Sequence, residues 1–229
     1  MVKVLYEDNH LIAINKPSGI LVQGDSTGDT PLVEITKQFI KKRDHKPGNV
    51  FLGVIHRIDR PTSGVVLFAK TSKALSRMNK MFADKQVHKT YWAIVEGIVS
   101  KEQQRLENHL IRNNKLNKSF VSDSKGNRTK KAIMHYKVLL RLKSYSLLKV
   151  KLETGRHHQI RTQLAYIKHA IKGDLKYNSS RSNNDQSISL LAKTLKFIHP
   201  VSGKEIEINA ELPHTDIWKV IRKELAAQL

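Results

Sequence analysis

The hydrophobic residues of this chain recur with two spacings, and each spacing predicts a different kind of element. Alternating or short continuous apolar runs are typical of strands. Such strand patterns occur at 2–22 (two strands around a turn), 65–69, 89–97, 133–140, 144–152, 195–197 and 206–208. The stretch 100–131 is rich in Asn, Lys and Ser, and we interpret it as loops with short strands.

Apolar residues spaced three and four positions apart predict four helices. The first is expected to have Thr30 as its N-cap and Pro31 at its first helical position. Ser72 is the predicted cap of the second, the third begins near His157, and Thr215 caps the last. No repeat or linker divides the chain. We therefore predict one α+β domain over residues 1–229, with flanking helices and loops on a single mixed, mostly antiparallel sheet.

The composition excludes several classes of protein. The chain has 229 residues, 39% of them hydrophobic, but no apolar run of membrane-spanning length. It has no cysteine, which excludes disulfides, thiolate metal sites and cysteine nucleophiles. The first residues do not have the pattern of a signal peptide, so we expect a cytoplasmic protein that does not bind membranes.

Charge is the strongest signal in the composition. Lys and Arg number 41 against 20 Asp and Glu, which gives a net charge of +21. Such an excess is typical of proteins that bind polyanions, usually nucleic acid. A membrane-surface protein would need a basic amphipathic helix, and the sequence shows none.

One carboxylate stands out in the segment HRIDRPTSG at 56–64, where Asp59 lies between Arg57 and Arg60. Nearby guanidinium groups favour the ionised form of a carboxylate. In a rigid turn, an ionised carboxylate is a candidate nucleophile toward a phosphate-rich substrate. Considered alone, this segment is explained better by a surface loop in which Asp59 pairs with a neighbouring arginine.

A second unusual segment, ETGRHHQIR at 153–161, leaves a predicted strand and enters a helix. Positive charge at a helix start opposes the usual preference there, and it indicates a bound anion such as phosphate. A solvated strand–helix junction is the alternative. A metal site formed by His157, His158 and His56 is disfavoured, because adjacent histidines on a helix point in different directions.

Five groups of motifs follow one another along nearly the whole chain. They are NKPSG at 15–19, HRIDRPTSG at 56–64, KTYWAIVEG at 89–97, GRHHQIR at 155–161, and GD at 173–174 with Tyr177, LKFIHP at 195–200 and Gly203. In this order they resemble the RluA-type RNA pseudouridine synthases. The chain departs from the usual pattern at Ile58, His157, Thr162, Gln163 and Leu191, none of which replaces an expected catalytic residue.

The resemblance implies a pseudouridine synthase fold and an isomerase that converts uridine in RNA to pseudouridine. Asp59 would be the essential carboxylate, and Arg161 would pair with it and hold its orientation. Tyr91 would lie against the target uracil and take part in proton transfer. The target uridine must leave its stack, and Arg57 is expected to fill the gap, with Ile160 in the apolar wall near the base.

Further RNA contacts are expected in the two basic motifs, from His56, Arg57, Arg60, Thr62, Arg156, His158, Gln159 and Ile160. The resemblance implies rRNA or tRNA as the substrate and no redox cofactor, metal or nucleotide. It implies no obligate protein partner, so we expect a monomer. Because the resemblance is to the short members of the family, we expect no N-terminal S4 RNA-binding module.

Two other functions deserve comparison with this one. A glycoside hydrolase could use Asp59 and Glu153 as paired carboxylates, but its general acid needs a raised pKa, which neighbouring arginines oppose. A non-catalytic RNA-binding or RNA-chaperone protein could have the same fold and basic surface. Formation of pseudouridine without release of free uracil distinguishes the isomerase from both.

Overall fold

The part of the chain that the structure describes contains eleven strands and four helices. The strands are β1 (Val4–Glu7), β2 (Leu11–Lys16), β3 (Gly53–Val54), β4 (Ser63–Ala69), β5 (His88–Glu96), β6 (Gln103–Asn113), β7 (Lys118–Ser122), β8 (Thr129–Arg141), β9 (Tyr145–Leu152), β10 (Leu190–Ile198) and β11 (Glu205–Asn209). The helices are α1 (Leu32–Arg43), α2 (Ser72–Ala83), α3 (Gln159–Tyr166) and α4 (Asp216–Ala226), with a short 3₁₀ helix at Leu175–Tyr177.

The computed structural model of the protein describes residues 2–227, apart from the side chain of Asp216. The chain divides into two compact units. The first contains the residues up to 89 together with 192–213, and the second contains 90–191 together with the residues from 214 onward. That the whole chain acts as a single domain stays a prediction.

The first unit is built on the predicted N-terminal hairpin of β1 and β2. Its turn is held by Asp8, whose Oδ1 accepts hydrogen bonds of 2.7 Å from the backbone N–H groups of His10 and Leu11. Strand β4 pairs antiparallel with β2, so that Lys16 lies opposite Gly64. The predicted C-terminal hairpin is confirmed as β10 paired with β11.

Two helices complete the first unit, and both begin one residue away from the predicted start. Pro31, not Thr30, is the N-cap of α1, and no side chain caps that helix. Thr71, not Ser72, is the N-cap of α2, because its hydroxyl accepts a hydrogen bond of 3.2 Å from the N–H of Ala74. Either hydroxyl residue can cap a helix, and the extended backbone of Thr71 places its oxygen at the helix end.

The apolar stripe of α1 packs against the β2–β4 pair. Leu32 and Ile40 from the helix form a buried cluster with Ile14, Val66 and Phe68 from the strands. Burial of each such side chain stabilises the folded state by roughly 1.5–3 kcal/mol. This cluster therefore supports the end of β2 and the beginning of β4, where the candidate functional residues lie.

The second unit contains five strands in the order β5-β9-β8-β6-β7, all antiparallel to their neighbours. The predicted strands at 133–140 and 144–152 are confirmed as β8 and β9. The interpretation of 100–131 as loops with short strands was wrong, because β6 alone has eleven residues. Only Leu106 and Leu110 of β6 are fully buried, so the strand shows little of the hydrophobic alternation on which the prediction depended.

Helices α3 and α4 also belong to the second unit. The predicted start of the third helix near His157 is confirmed, since His158 is the N-cap of α3. Thr215 occupies the N-cap of α4 as predicted, although its side chain makes no capping hydrogen bond. No helix within the described residues is long and apolar enough to cross a membrane. Together, the four helices and the antiparallel strands confirm the α+β prediction.

The close approach of β4 to β10 gives the first testable prediction. Gly64 has φ +118°, and a Cβ added there would lie 2.3 Å from the backbone oxygen of Ala192. We expect Gly64→Ala to lower the free energy of unfolding by about 3 kcal/mol or more, because strain and overpacking add. Urea unfolding measures this change. Gly48→Ala is the matched control, since its added Cβ meets nothing within 4 Å, and equal midpoints for the two variants would contradict the prediction.

Candidate active site

Asp59 lies in a tight turn between β3 and β4 in the first unit. Its backbone oxygen accepts a hydrogen bond of 3.0 Å from the N–H of Thr62, and Pro61 lies within this turn. The backbone oxygen of the next residue, Arg60, accepts a hydrogen bond of 2.9 Å from the N–H of Gly19. Asp59 is half-buried. Its backbone is held by one hydrogen bond within the turn and by a second hydrogen bond from the 15–19 segment to the next residue.

The second link between these two loops is a buried lysine. Lys16 is 1% exposed, and its ammonium donates hydrogen bonds to the backbone oxygens of Pro17 (2.9 Å) and Arg60 (3.0 Å). Burial lowers the pKa of Lys16 to about 7; the negative charge of Asp59 opposes this shift, and Arg60 adds to it. Sequence reasoning gave Lys16 no role, although a lysine that ends an apolar strand just before a proline was a visible signal.

The arginines on either side of Asp59 have different surroundings. Arg60 binds the carboxylate of Asp29 through Nη1 at 2.8 Å, and its Nε donates a hydrogen bond of 3.0 Å to the backbone oxygen of Gly19. Arg57 is exposed, and none of residues 2–227 forms an ion pair with it. Arg60 thus stabilises the loop, whereas Arg57 is available to a ligand.

His56 and Thr62, both predicted to contact RNA, have side chains engaged with or buried in the protein. Nε2 of His56 accepts a hydrogen bond of 3.1 Å from the N–H of Leu67, and its ring stacks on Phe82 at 5.1 Å. Burial, with a smaller effect of Lys89, lowers the pKa of His56 to about 3, so the ring is neutral at physiological pH. Thr62 is 2% exposed. Their contact with RNA stays a prediction.

In the second unit, Tyr91 lies on β5 and points to the buried face of the sheet. It is opposite Val150 of β9, which in turn is opposite Tyr136 of β8. Tyr91 is 8% exposed. Because side chains alternate along a strand, Tyr91 shares this face with Ala93 and Val95, both of which are buried.

Arg161 on α3 forms a bidentate ion pair with Asp174. Its Nε lies 2.6 Å from Oδ2 and its Nη2 lies 2.8 Å from Oδ1, and the two side chains are only 5% and 1% exposed. The guanidinium also lies 5.0 Å from the centre of the Tyr177 ring. Asp174 was noticed only as part of a motif, so sequence reasoning missed this partner. The predicted pairing of Arg161 with Asp59 stays a prediction.

A hydrogen-bond chain fixes the start of α3. The Tyr177 hydroxyl accepts a hydrogen bond of 2.8 Å from the N–H of Ser119, and it is hydrogen-bonded to Nδ1 of His158 at 2.9 Å. Burial, followed by the positive charge of Arg161, lowers the pKa of His158 to about 2, so this ring is also neutral. The ring of His157 stacks on it at 3.8 Å.

The remaining residues predicted to contact RNA have specific partners in the second unit. The Gln159 amide accepts hydrogen bonds from the N–H of Arg156 and the hydroxyl of Thr154, and it donates to the backbone oxygen of Ile133. Ile160 is buried. Arg156 is exposed and donates from Nε to the backbone oxygen of Lys131. Of the four residues of the 155–161 motif that are predicted to contact RNA, Arg156 is therefore the most accessible.

No group of three or more histidine, aspartate or glutamate side chains within the described part of the chain could hold a metal ion. The chemistry that these residues can perform depends on carboxylate, phenol, guanidinium and buried amine groups.

Comparison with known proteins places these residues in a family. The model of the RNA pseudouridylate synthase family matches residues 10–166. Ribosomal large subunit pseudouridine synthase D of Zymomonas mobilis is 35% identical over 92% of this chain and 69% of its own length. tRNA pseudouridine synthase C of Vibrio vulnificus is 33% identical over 96% of this chain and 93% of its own length.

Solved structures show the same fold. The human RNA pseudouridylate synthase domain containing 4 has a TM-score of 0.80 at 21% identity, covering 96% of this chain and 92% of its own. The human RNA pseudouridylate synthase domain containing 1 has a TM-score of 0.76 at 22% identity, covering 95% of this chain and 87% of its own. The predicted pseudouridine synthase fold is thereby confirmed.

The buried amine gives a pH prediction. Lys16 has a pKa of about 7 in the folded protein, against an ordinary value of 10.5. Between these values the unfolded chain binds the additional proton, so stability from this group rises with pH across that window. We expect the free energy of unfolding of the wild type, relative to Lys16→Met, to increase by a few kcal/mol from pH 7 to pH 10. Urea titrations at four pH values measure it, and a constant difference would contradict the assignment.

The ion pair of Arg161 and Asp174 gives a stability prediction. Removing one partner of a buried pair leaves an uncompensated charge, so Asp174→Asn is expected to destabilise the protein by about 3–5 kcal/mol. Asp84→Asn is the matched control, because Asp84 pairs with Lys80 at an exposed position, and exposed pairs contribute little. Thermal and urea unfolding measure the stability of the two variants. Equal destabilisation would contradict the prediction that loss of the buried partner costs more than loss of an exposed one.

Proposed function

Because the chain belongs to the RNA pseudouridylate synthase family, we propose that it isomerises uridine in RNA to pseudouridine with Asp59 as the essential carboxylate. The observation that carries the proposal is the family match over residues 10–166, which include Asp59, Tyr91 and Arg161. Relatives that are 33–35% identical over more than nine-tenths of the chain are named pseudouridine synthases. Their names support an enzyme rather than a non-catalytic RNA-binding protein.

The reaction breaks the N-glycosidic bond of uridine, turns the uracil, and joins its C5 to the ribose. No atom is gained or lost, so the protein must supply a carboxylate, positioning and proton transfer, and we propose that no metal or cofactor takes part. An ionised Asp59 serves this chemistry as the group that assists bond breakage at the sugar or base. The turn that fixes Asp59 and its electrostatic interaction with Lys16 support this role.

We propose that Arg161 pairs with Asp59 during catalysis and fixes the direction of its carboxylate. The bidentate bonds to Asp174 support this role, because they already fix the plane of the Arg161 guanidinium. A planar fork that is held in place loses little further entropy on binding another carboxylate. Asp174 is thus a positioning residue for Arg161.

The target base must leave its stack to reach Asp59, which requires a few kcal/mol. We propose that Tyr91 and Ile160 receive the uracil and that Arg57 fills the gap in the RNA. Tyr91 and Ile160 are both buried within the second unit, which suits a planar, largely apolar base. Arg57 is exposed without an ion-pair partner among the described residues, which suits insertion into a polyanion.

The substrate is RNA, and we propose rRNA or tRNA, the classes for which the relatives are named. The net charge of +21 supplies affinity that does not depend on sequence. We further propose a monomer acting in the cytoplasm. The glycoside hydrolase alternative is disfavoured because Glu153 is exposed and lies 3.7 Å from the guanidinium of Arg105, which does not suit a protonated general acid.

Substitution of the carboxylate tests the proposal. We expect Asp59→Asn to reduce pseudouridine formation by about 10⁴-fold or more, since removal of a reacting group usually has an effect of that size. RNA affinity should change by less than about twofold, because one exchange of carboxylate for amide barely alters a surface with this excess of positive charge.

The measurement is pseudouridine mapping of total RNA from cells that lack the gene, complemented with wild type, Asp59→Asn or Asp123→Asn. Asp123 is exposed and serves as the control for the same change of charge. Sites restored by wild type and Asp123→Asn but not by Asp59→Asn would identify the target uridines. Full restoration by Asp59→Asn would refute the proposed chemistry.

A further inference from the structure

One row of residues crosses four strands of the second unit on the face opposite to Tyr91. Trp92 of β5 lies opposite Lys149 of β9, Lys149 lies opposite Lys137 of β8, and Lys137 lies opposite Gln103 of β6. The neighbouring row contains Lys151 opposite His135. Because side chains alternate between the two faces of a sheet, these lysines share one face.

The register brings like charges together. In an antiparallel pair, directly opposite residues have Cβ atoms about 4.5–5.5 Å apart, and like charges in that position destabilise the sheet. Lys149 and Lys137 form such a pair. Lys151 follows Lys149 on the same face at a distance of about 6.6–6.8 Å along the strand. We call Lys137, Lys149 and Lys151 the lysine patch.

The nearby carboxylates do not compensate for this repulsion. Glu102 binds Arg141, Glu107 binds Arg105 and Lys131, and Glu153 lies 3.7 Å from Arg105 and is hydrogen-bonded to His135. Among residues 2–227, no acidic side chain forms an ion pair with any member of the lysine patch. Lys137 and Lys151 are exposed and Lys149 is half-buried, so the patch presents concentrated positive charge to solvent.

The patch is separated from Tyr91 by the thickness of the sheet. Tyr91, Val150, Tyr136 and Gln104 lie opposite one another along the adjacent row and point to the other face. The first three of these side chains are buried. A base held against Tyr91 therefore cannot be contacted by the lysine patch.

We propose that the lysine patch binds the phosphate backbone of a segment of the substrate RNA that is remote from the target uridine. The inference rests on the proposed function, because its partner is the RNA on which that function acts. A folded RNA can extend past the edge of the sheet and reach both faces, whereas a short oligonucleotide at Tyr91 cannot. The lysine patch thus adds affinity for large RNA and leaves the reaction itself unchanged.

Charge and surface chemistry favour RNA over an anionic membrane. Binding to lipid usually combines lysines with exposed apolar side chains that enter the headgroup region. Among the described residues, none of the large exposed hydrophobic side chains belongs to β5, β8 or β9; they are Phe51, Ile98, Leu116, Phe120, Tyr166, Leu175, Ile198, Val201 and Val220. Phosphate groups of RNA need only the cations.

The first experiment compares two triple variants that remove the same charge. Lys137→Gln, Lys149→Gln and Lys151→Gln are combined in one, and Lys41→Gln, Lys42→Gln and Lys46→Gln, all at exposed positions, in the control. Dissociation constants are measured between 50 and 200 mM salt for deproteinised rRNA, bulk tRNA and a uridine-containing strand of about 12 nucleotides, a length typical of one single-strand site.

Loss of three phosphate contacts should reduce the slope of log K against log salt by about 2–3 and weaken binding of large RNA roughly tenfold or more at 0.1 M salt. We expect this for the patch variant with rRNA or tRNA, but not with the short strand. Equal affinities of the two triple variants for both large RNAs would overturn the inference. The inference would also be overturned if the patch variant lost affinity for short and large RNA equally. It would be overturned, too, if the patch variant lost binding to phosphatidylserine vesicles, measured in parallel, while it still bound RNA like the control.

The second experiment locates the contact. Because the chain contains no cysteine, Lys149→Cys carries a single attachment point for a photo-crosslinker, and Lys41→Cys is the control. Cross-linking of rRNA or tRNA at Lys149→Cys above the control supports the lysine patch, and equal yields contradict it.

If wild type binds RNA at the patch but forms no pseudouridine, the proposed function fails while the binding surface stands. If Asp59→Asn alone abolishes catalysis and the patch variant binds normally, only this inference fails.

Discussion

A charged side chain can leave water only if partners replace the water it loses, or if it gives up its charge. Both outcomes occur in this protein. Two nitrogens of Arg161 lie 2.6 and 2.8 Å from the two carboxylate oxygens of Asp174. These hydrogen bonds compensate for the water that both buried charges lose. At His56 and His158 the charge is given up, because burial lowers their pKa values to about 3 and about 2. Lys16 lies between these cases, with a pKa of about 7.

The neutral histidines have a structural consequence. A neutral imidazole keeps one nitrogen as an acceptor, and His56 uses that nitrogen for a bond that a protonated ring could not accept. His56 accepts from Leu67 at the base of the Asp59 loop, and Nδ1 of His158 is hydrogen-bonded to the Tyr177 hydroxyl beside Arg161. The bond to Tyr177 also offsets the positive φ of 52° at His158, a conformation that costs about 1–2 kcal/mol. The surroundings of Asp59 and Arg161 therefore depend on groups that burial keeps uncharged.

Local pattern was sufficient for much of the fold and for the choice of candidate residues. The strands with one apolar face were recognised from alternation, and Asp59, Tyr91 and Arg161 were singled out from unusual short segments. Strand β6 was missed because cross-strand ion pairs such as Lys131–Glu107 occupy positions where alternation was sought. Lys16 and Asp174 were given no role because their partners are distant: Lys16 binds a backbone oxygen 44 residues away, and Asp174 binds Arg161 across 13 residues. Adjacent residues cannot reveal such contacts.

The alternation of β5 also explains why register is so strictly determined in the second unit. A shift of one residue would exchange the two faces of a strand. It would bring Tyr91 to the solvent side and Trp92 inward, and the same shift in β9 would bury Lys149 and Lys151, whose charges have no partner inside. Hydrophobic burial on one face and the desolvation penalty of lysine on the other thus oppose slippage together. The charged face helps to hold Tyr91 in place although it never touches it, and repulsion between Lys137 and Lys149 is the destabilising consequence of that arrangement.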